Sequence, residues 1–123
     1  DMPSSEEIDK CKWLTDKELQ YYVDVFNNTQ FQGGLNWYRC MIDNLIQSKL
    51  RIYSNLKIDI PSMFIAGRKD WGIYQKPDAL ENMQLKICTN MQSCELIDGA
   101  GHWVQQEKPE EVAKLLLSFL SKL

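Results

Sequence analysis

Two short apolar runs, each followed by a loop bearing one ionisable side chain, constrain this chain more than anything else in it. Met63-Phe64-Ile65-Ala66 is closed by Gly67 and followed by Arg68-Lys69-Asp70. Cys94-Glu95-Leu96-Ile97 leads into Asp98-Gly99-Ala100-Gly101-His102. A run of this length, apolar and bounded by glycine, suits a strand buried on both faces of a parallel sheet. Pro61 at the start of the first is acceptable, because that position need not donate a ladder hydrogen bond. Between the runs, Pro77 opens a predicted helix reaching about Ile87. After the second, Pro109 opens another, with Glu107, Glu110 and Glu111 near its positive end and a stripe of Val112, Leu115, Leu116, Phe119, Leu120 and Leu123. Strand, helix, strand, helix predicts parallel strands joined by crossover helices, an α/β arrangement. Two strands cannot complete such a sheet, since both faces and both edges need cover.

The first fifty residues differ in kind. Residues 1–14 read as an extended lead-in. Thr15 and Glu18 then form a capping box for a helix with Leu19, Tyr22, Val23 and Phe26 on one face, ended by Asn27-Asn28-Thr29. Gly33-Gly34 reads as a tight turn, and a second helix follows from about Leu35 to Ile46, with Leu35, Tyr38, Ile42 and Leu45 aligned. The expected organisation is therefore a helical region over 1–50 and an α/β region over 51–123.

Composition removes several classes of function. With 44% hydrophobic and 25% charged residues, the 123-residue chain reads as globular. A net charge of −3 and scattered basic residues argue against nucleic acid as a partner. Asp1–Lys10 is polar and acidic, unlike a secretion leader. No apolar stretch approaches the roughly 20 residues of a membrane span, so a soluble chain is expected. Cys11, Cys40, Cys88 and Cys94 form no C-x-x-C pair and meet a single histidine. That makes a metal site unexpected and free thiols the default. No phosphate-binding glycine loop occurs either. Ser121-Lys122-Leu123 reads as a peroxisomal import signal if the source is a eukaryote, or otherwise as the plain end of a helix in a cytoplasmic protein.

The candidate chemistry lies in the two loops. In open α/β sheets ligands gather outside the carboxyl ends of strands. His102 would stand there, as a side chain type suited to moving protons near neutral pH; alone, it could equally be structural or merely exposed. Asp70, at the equivalent place after the other strand, could accept the Nδ1–H of His102 as the acid of a triad does, or simply cap a turn. Tyr38 could donate a proton or hydrogen bond to a developing alkoxide, or pack with one wet end as most tyrosines do. Trp37, Trp71 and Trp103 could wall an apolar pocket or fill the core. Neither G-x-S-x-G nor G-x-D-x-G, the elbow that presents a nucleophile, is in the sequence.

At these residues the sequence resembles soluble epoxide hydrolases, over about residues 13–123. Gly33-Gly34-Leu35-Asn36-Trp37-Tyr38-Arg39 resembles the end of their cap domain. Ile60–Asp70 resembles the core strand that delivers the triad acid, and Gly99–Val112 the histidine loop and last helix. The resemblance implies the C-terminal portion of an α/β-hydrolase fold, preceded by helices of the cap. It implies that His102 activates water, that Asp70 orients His102, and that Tyr38 activates the oxygen of a small apolar epoxide. The expected route runs through a covalent ester to an aspartate nucleophile and needs no metal or organic cofactor; this chain lacks that aspartate along with the oxyanion-hole loop and a second cap tyrosine. The chain alone is therefore expected to be inactive. Its partner would be the N-terminal half of the hydrolase, in the same or another chain. The alternatives are another α/β-hydrolase, such as a dehalogenase or esterase, and a truncated, non-catalytic binding or assembly module, for which a homo-oligomer is one possible form.

Overall fold

The computed structural model describes residues 4–123. The chain forms two compact units, one ending at Ser54 and the other running from Asn55 to Leu123. The described residues of the first unit form helices α1 (Ser5–Asp9), α2 (Asp16–Thr29), α3 (Gln32–Ile42) and α4 (Asn44–Leu50), then a 3-10 turn at Arg51–Tyr53. The second contains β1 (Ser62–Gly67), a 3-10 turn at Trp71–Tyr74, α5 (Ala79–Asn82) widening into a π turn over Met83–Ile87, β2 (Met91–Ile97), α6 (Val104–Glu107) and α7 (Pro109–Leu120).

In the first unit the capping box is formed. Thr15 Oγ1 accepts the Glu18 N–H at 3.3 Å and the Glu18 carboxylate accepts the Thr15 N–H at 2.8 Å. Three expectations change. The lead-in, whose residues 1–3 lie outside the described residues, contains α1. Its acidic start suits a helix N-terminus, and Lys10 reaches back to Glu6 at 2.7 Å, one turn away. Gly33 and Gly34 make no turn; they sit in the first turn of α3, where Leu35 N–H already bonds Phe31 O at 2.9 Å. Glycine costs about 1 kcal/mol there relative to alanine, and the amphipathic run that follows offsets it. The second helix also stops at Ile42, four residues early. Asp43 leaves the helical region, and its carboxylate accepts from Leu45 and Ile46 N–H at 2.8 and 3.2 Å, starting α4 as an N-cap. Leu45 thus belongs to a different helix from Tyr38.

In the second unit β1 and β2 are parallel, paired from Ser62↔Met91 to Gly67↔Ile97, with one bulge between Ser62 and Met63. An isolated bridge, Ile58↔Cys88, prolongs the pairing upstream. β2 starts three residues before the predicted Cys94. The crossover helix starts at Ala79, not Pro77, because Asp78 takes a left-handed φ of 62° and breaks the chain direction. It ends in a π turn closed by Cys88 N–H on Met83 O at 2.8 Å.

The core is small: Ile97, Ala100 and Val104 are buried, with Ile65, Val112 and Leu115 packed against them. Here the predicted stripe of α7 divides. Val112, Leu115 and Phe119 are half-buried, whereas Leu116, Leu120 and Leu123 are exposed. Two strands offer less surface than the stripe can cover. An open apolar groove lies beside β1, lined by Met63, Ile65, Val104, Val112, Leu116 and Phe119. Among the described residues no helix is long and apolar enough to cross a membrane.

Candidate active site

The parallel pairing sends both strands toward the same edge, so the loop after each emerges beside the other. Arg68 N–H bonds Ile97 O and Lys69 N–H bonds Ala100 O, both at 2.9 Å. The approach is close: a Cβ on Gly67 would meet Gly101 O at 2.2 Å and Ala100 O at 2.4 Å. Glycine is required there for space. A second tie is the ion pair of Arg68 Nε with Asp98, supported by Arg68 donating to Leu96 O at 3.2 Å and by Tyr74 Oη donating to Arg68 O at 2.9 Å.

This frame holds Asp70 against His102. Nδ1 of His102 lies 3.1 Å from Oδ2 and 3.2 Å from Oδ1 of Asp70. The Asp70 carboxylate also accepts the Gly72 N–H at 2.8 Å, capping the turn at Trp71–Tyr74. Asp70 thus both caps this turn and faces His102. Its side chain is only 11% exposed, that of His102 60%. A nearly buried carboxylate needs such donors, because an unpaired one would be costly. A carboxylate can only accept, so the neutral imidazole facing it carries its proton on Nδ1. Nε2 is then the basic nitrogen, on the more exposed of the two side chains. An imidazole held in this way can take up a proton at Nε2 while the carboxylate holds its other nitrogen.

Trp103 stands edge-on to His102, with ring centroids 5.3 Å apart. It is exposed, as are Trp71 and Trp37, so none of the three fills the core of its own unit. Tyr38 and Trp37 belong to α3 of the first unit and are 66% and 73% exposed. Arg39 is tied to Asn36 Oδ1 at 2.7 Å on the same helix. The four cysteines are unpaired. Burial, and after it the Glu95 charge, pushes the Cys94 thiol up from its usual range. Among the described residues no cluster of histidine, cysteine and carboxylate side chains could hold a metal ion.

One residue of this site has a place that sequence reading did not give it. Glu107, expected to favour the start of α7 by its charge, instead turns its carboxylate back onto the histidine loop, accepting from Gly101 N–H at 2.7 Å and Trp103 N–H at 3.0 Å. The available signal was its position five residues after His102, one short helix away. For the Arg68–Asp98 pair, thirty residues apart, no local signal exists.

No protein-family model matches the chain. Individual proteins do. It is 38% identical to epoxide hydrolase A of Mycobacterium tuberculosis, over 90% of this chain and 33% of that protein. It is 32% identical to epoxide hydrolase 2 of Siraitia grosvenorii, over 89% of this chain and 35% of that one. A solved structure of a laboratory-evolved variant of potato epoxide hydrolase superposes with a TM-score of 0.83 at 29% identity, covering all of this chain and 38% of that one. The chain spans about a third of the length of the curated relatives it matches. Over nearly its whole length the chain is thus homologous to a segment of epoxide hydrolases, and its fold is that of a piece of an α/β-hydrolase.

Proposed function

We propose that this chain is the part of an epoxide hydrolase that supplies the water-activating histidine, its orienting acid and one tyrosine of the cap. The observation that carries the reading is the contact between His102 Nδ1 and the nearly buried Asp70 at 3.1 Å, at the carboxyl ends of two parallel strands. In this reading residues 1–50 are the end of the cap and 51–123 the end of the core. An aspartate outside this chain bonds through a carboxylate oxygen to an epoxide carbon as the ring C–O bond breaks. The Tyr38 phenol gives its proton to the ring oxygen. His102 Nε2 then takes a proton from water, and the resulting hydroxide adds to the ester carbonyl to give a tetrahedral adduct. As the adduct collapses, its C–O bond to the diol breaks and the departing oxygen takes the proton held by His102; the carboxyl left behind gives the hydroxide's proton to solvent, re-forming the carboxylate, and the Tyr38 phenolate takes one proton back from solvent. Asp70 stabilises the imidazolium formed on the way.

The open groove beside β1 and the exposed half of the α7 stripe support a further part of the proposal, that the rest of the sheet packs there. Alone, the chain is expected to turn over nothing. The test is to assay the chain, and then a complete protein containing it, on an epoxide, a haloalkane and an aryl ester. Diol formation from the epoxide by the complete protein, abolished by His102→Ala, supports the reading. A rate unaffected by His102→Ala sinks it, and preference for the haloalkane or ester would assign the chain to another hydrolase. For a eukaryotic source we further propose peroxisomal import through Ser121-Lys122-Leu123, which follow the end of α7. Deleting them should release the protein to the cytosol without loss of catalysis, and an unchanged location would refute the address.

A further inference from the structure

Asp70 fixes the ring of His102, but the loop beneath that ring contains Gly99, at a left-handed φ of 77°, and Gly101. Glycine makes such a loop conformationally permissive. Lys69 N–H holds the loop at Ala100 O, and around His102 itself the restraint is Glu107. Its Oε2 accepts from Gly101 N–H at 2.7 Å and its Oε1 from Trp103 N–H at 3.0 Å. The two donors belong to the residues immediately before and after His102. Hydrogen bonds from N–H to an ionised carboxylate are about twice as strong as neutral ones, and Glu107 is half-buried, which limits competition from water. The carboxylate lies close on the loop: a Cβ on Gly101 would meet Oε1 at 3.2 Å. Its other end is anchored in turn, because α6 begins at Val104, a buried member of the core.

We infer that Glu107 is a positioning residue for His102. Its carboxylate grips the backbone on both sides of the histidine and so keeps Nδ1 on Asp70 and Nε2 as the basic nitrogen. This inference rests on the proposed roles of His102 and Asp70 and adds the group that makes their geometry persist. Without the clamp, the loop gains backbone freedom that no other contact to Gly101 or Trp103 N–H removes. Misplacement of a catalytic group by about 1 Å can cost on the order of 100-fold in rate.

His102 is the only histidine, so labelling histidine ring nitrogens with 15N in the 123-residue chain reports one imidazole. At alkaline pH the wild-type chain should show the proton on Nδ1. Asp70→Asn should remove that preference, and its failure to do so would overturn the roles of Asp70 and His102, and the clamp with them. Glu107→Gln keeps the shape of the side chain but leaves one acceptor oxygen and sets an NH2 group against the other donor. It should lose most of the Nδ1–H population and shift the Gly101 and Trp103 amides, while the amides of β1 and β2 stay in place. A wild-type tautomer in Glu107→Gln, with Asp70→Asn still losing it, would overturn the clamp alone. If Glu107→Gln does not fold, Glu107→Asp carries the test, since a carboxylate one methylene shorter cannot hold both donors. The same loss is expected, and an unchanged tautomer would overturn the inference.

Discussion

The backbone N–H of Lys69 bonds the carbonyl of Ala100 at 2.9 Å, stitching the loop of Asp70 to the loop of His102 next to the residues themselves. The bond forms because Gly67 lets the two chains approach to a distance that any side chain would prevent. Gly67→Ala would drive a Cβ into the carbonyls of Gly101 and Ala100, backbone atoms that cannot swing away. Overpacking of this kind costs typically about 1–3 kcal/mol. Denaturant unfolding followed by circular dichroism should show a lower midpoint for Gly67→Ala than for the wild type. An unchanged midpoint would mean that the loops are not so tightly joined.

In the proposed function Asp70 and His102 act as one unit with separable roles. In a complete hydrolase, His102→Ala should leave ester formation possible while stopping ester hydrolysis. Mixed with an epoxide, that variant should gain the mass of one substrate molecule, seen by intact-protein mass spectrometry. Asp70→Asn should slow turnover by on the order of 10^3- to 10^4-fold, the scale for an acid that fixes the tautomer of its histidine. Prompt release of diol by His102→Ala, with no adduct, would place water activation elsewhere.

The strand-borne part of this site was legible in the sequence because its signals are local. The run Met63–Ala66 closed by Gly67, and the loop Asp98–His102, set two strands and the residues that follow them, and the parallel pairing brings Asp70 to His102. The last helix was legible from Pro109. Signals that depend on competition between neighbours were not. Gly33-Gly34 reads as a turn until the helical run after it is seen to extend backward. Asp43 reads as one more polar residue until its carboxylate caps α4. Glu107 reads as a charge at the start of the helix it precedes, whereas its length and the shortness of α6 return it to the loop before. The exposed half of the α7 stripe was legible as apolar, but burial depends on surface that two strands do not supply.

The cysteines should separate by reactivity. Cys94 on β2 is half-buried, and burial together with the Glu95 charge raises its thiol above the usual range, so less of it is thiolate at mildly alkaline pH. The thiolate is the reactive form. Cys11 and Cys40 are exposed. Limited treatment of the folded chain with iodoacetamide, followed by peptide mapping, should label Cys11 and Cys40 ahead of Cys94. Labelling of Cys94 first would contradict both its burial and the direction of its shift.

The capping box of α2 makes a pH-dependent prediction of known sign. The Thr15 side chain, and after it the Thr15 backbone N–H, donate to the Glu18 carboxylate and hold it below its ordinary value of 4.5. A carboxyl with a lower pKa in the folded than in the unfolded chain stabilises the fold above the unfolded value. That contribution is lost as pH falls through the folded value. The box should therefore stay closed at pH 4.5 and open only in more acidic solution. A 13C titration of the Glu18 side-chain carboxyl should give a midpoint below 4.5, and Thr15→Ala, which removes the leading donor, should raise it. A wild-type midpoint at or above 4.5 would show that the box seen at the start of α2 does not persist in solution.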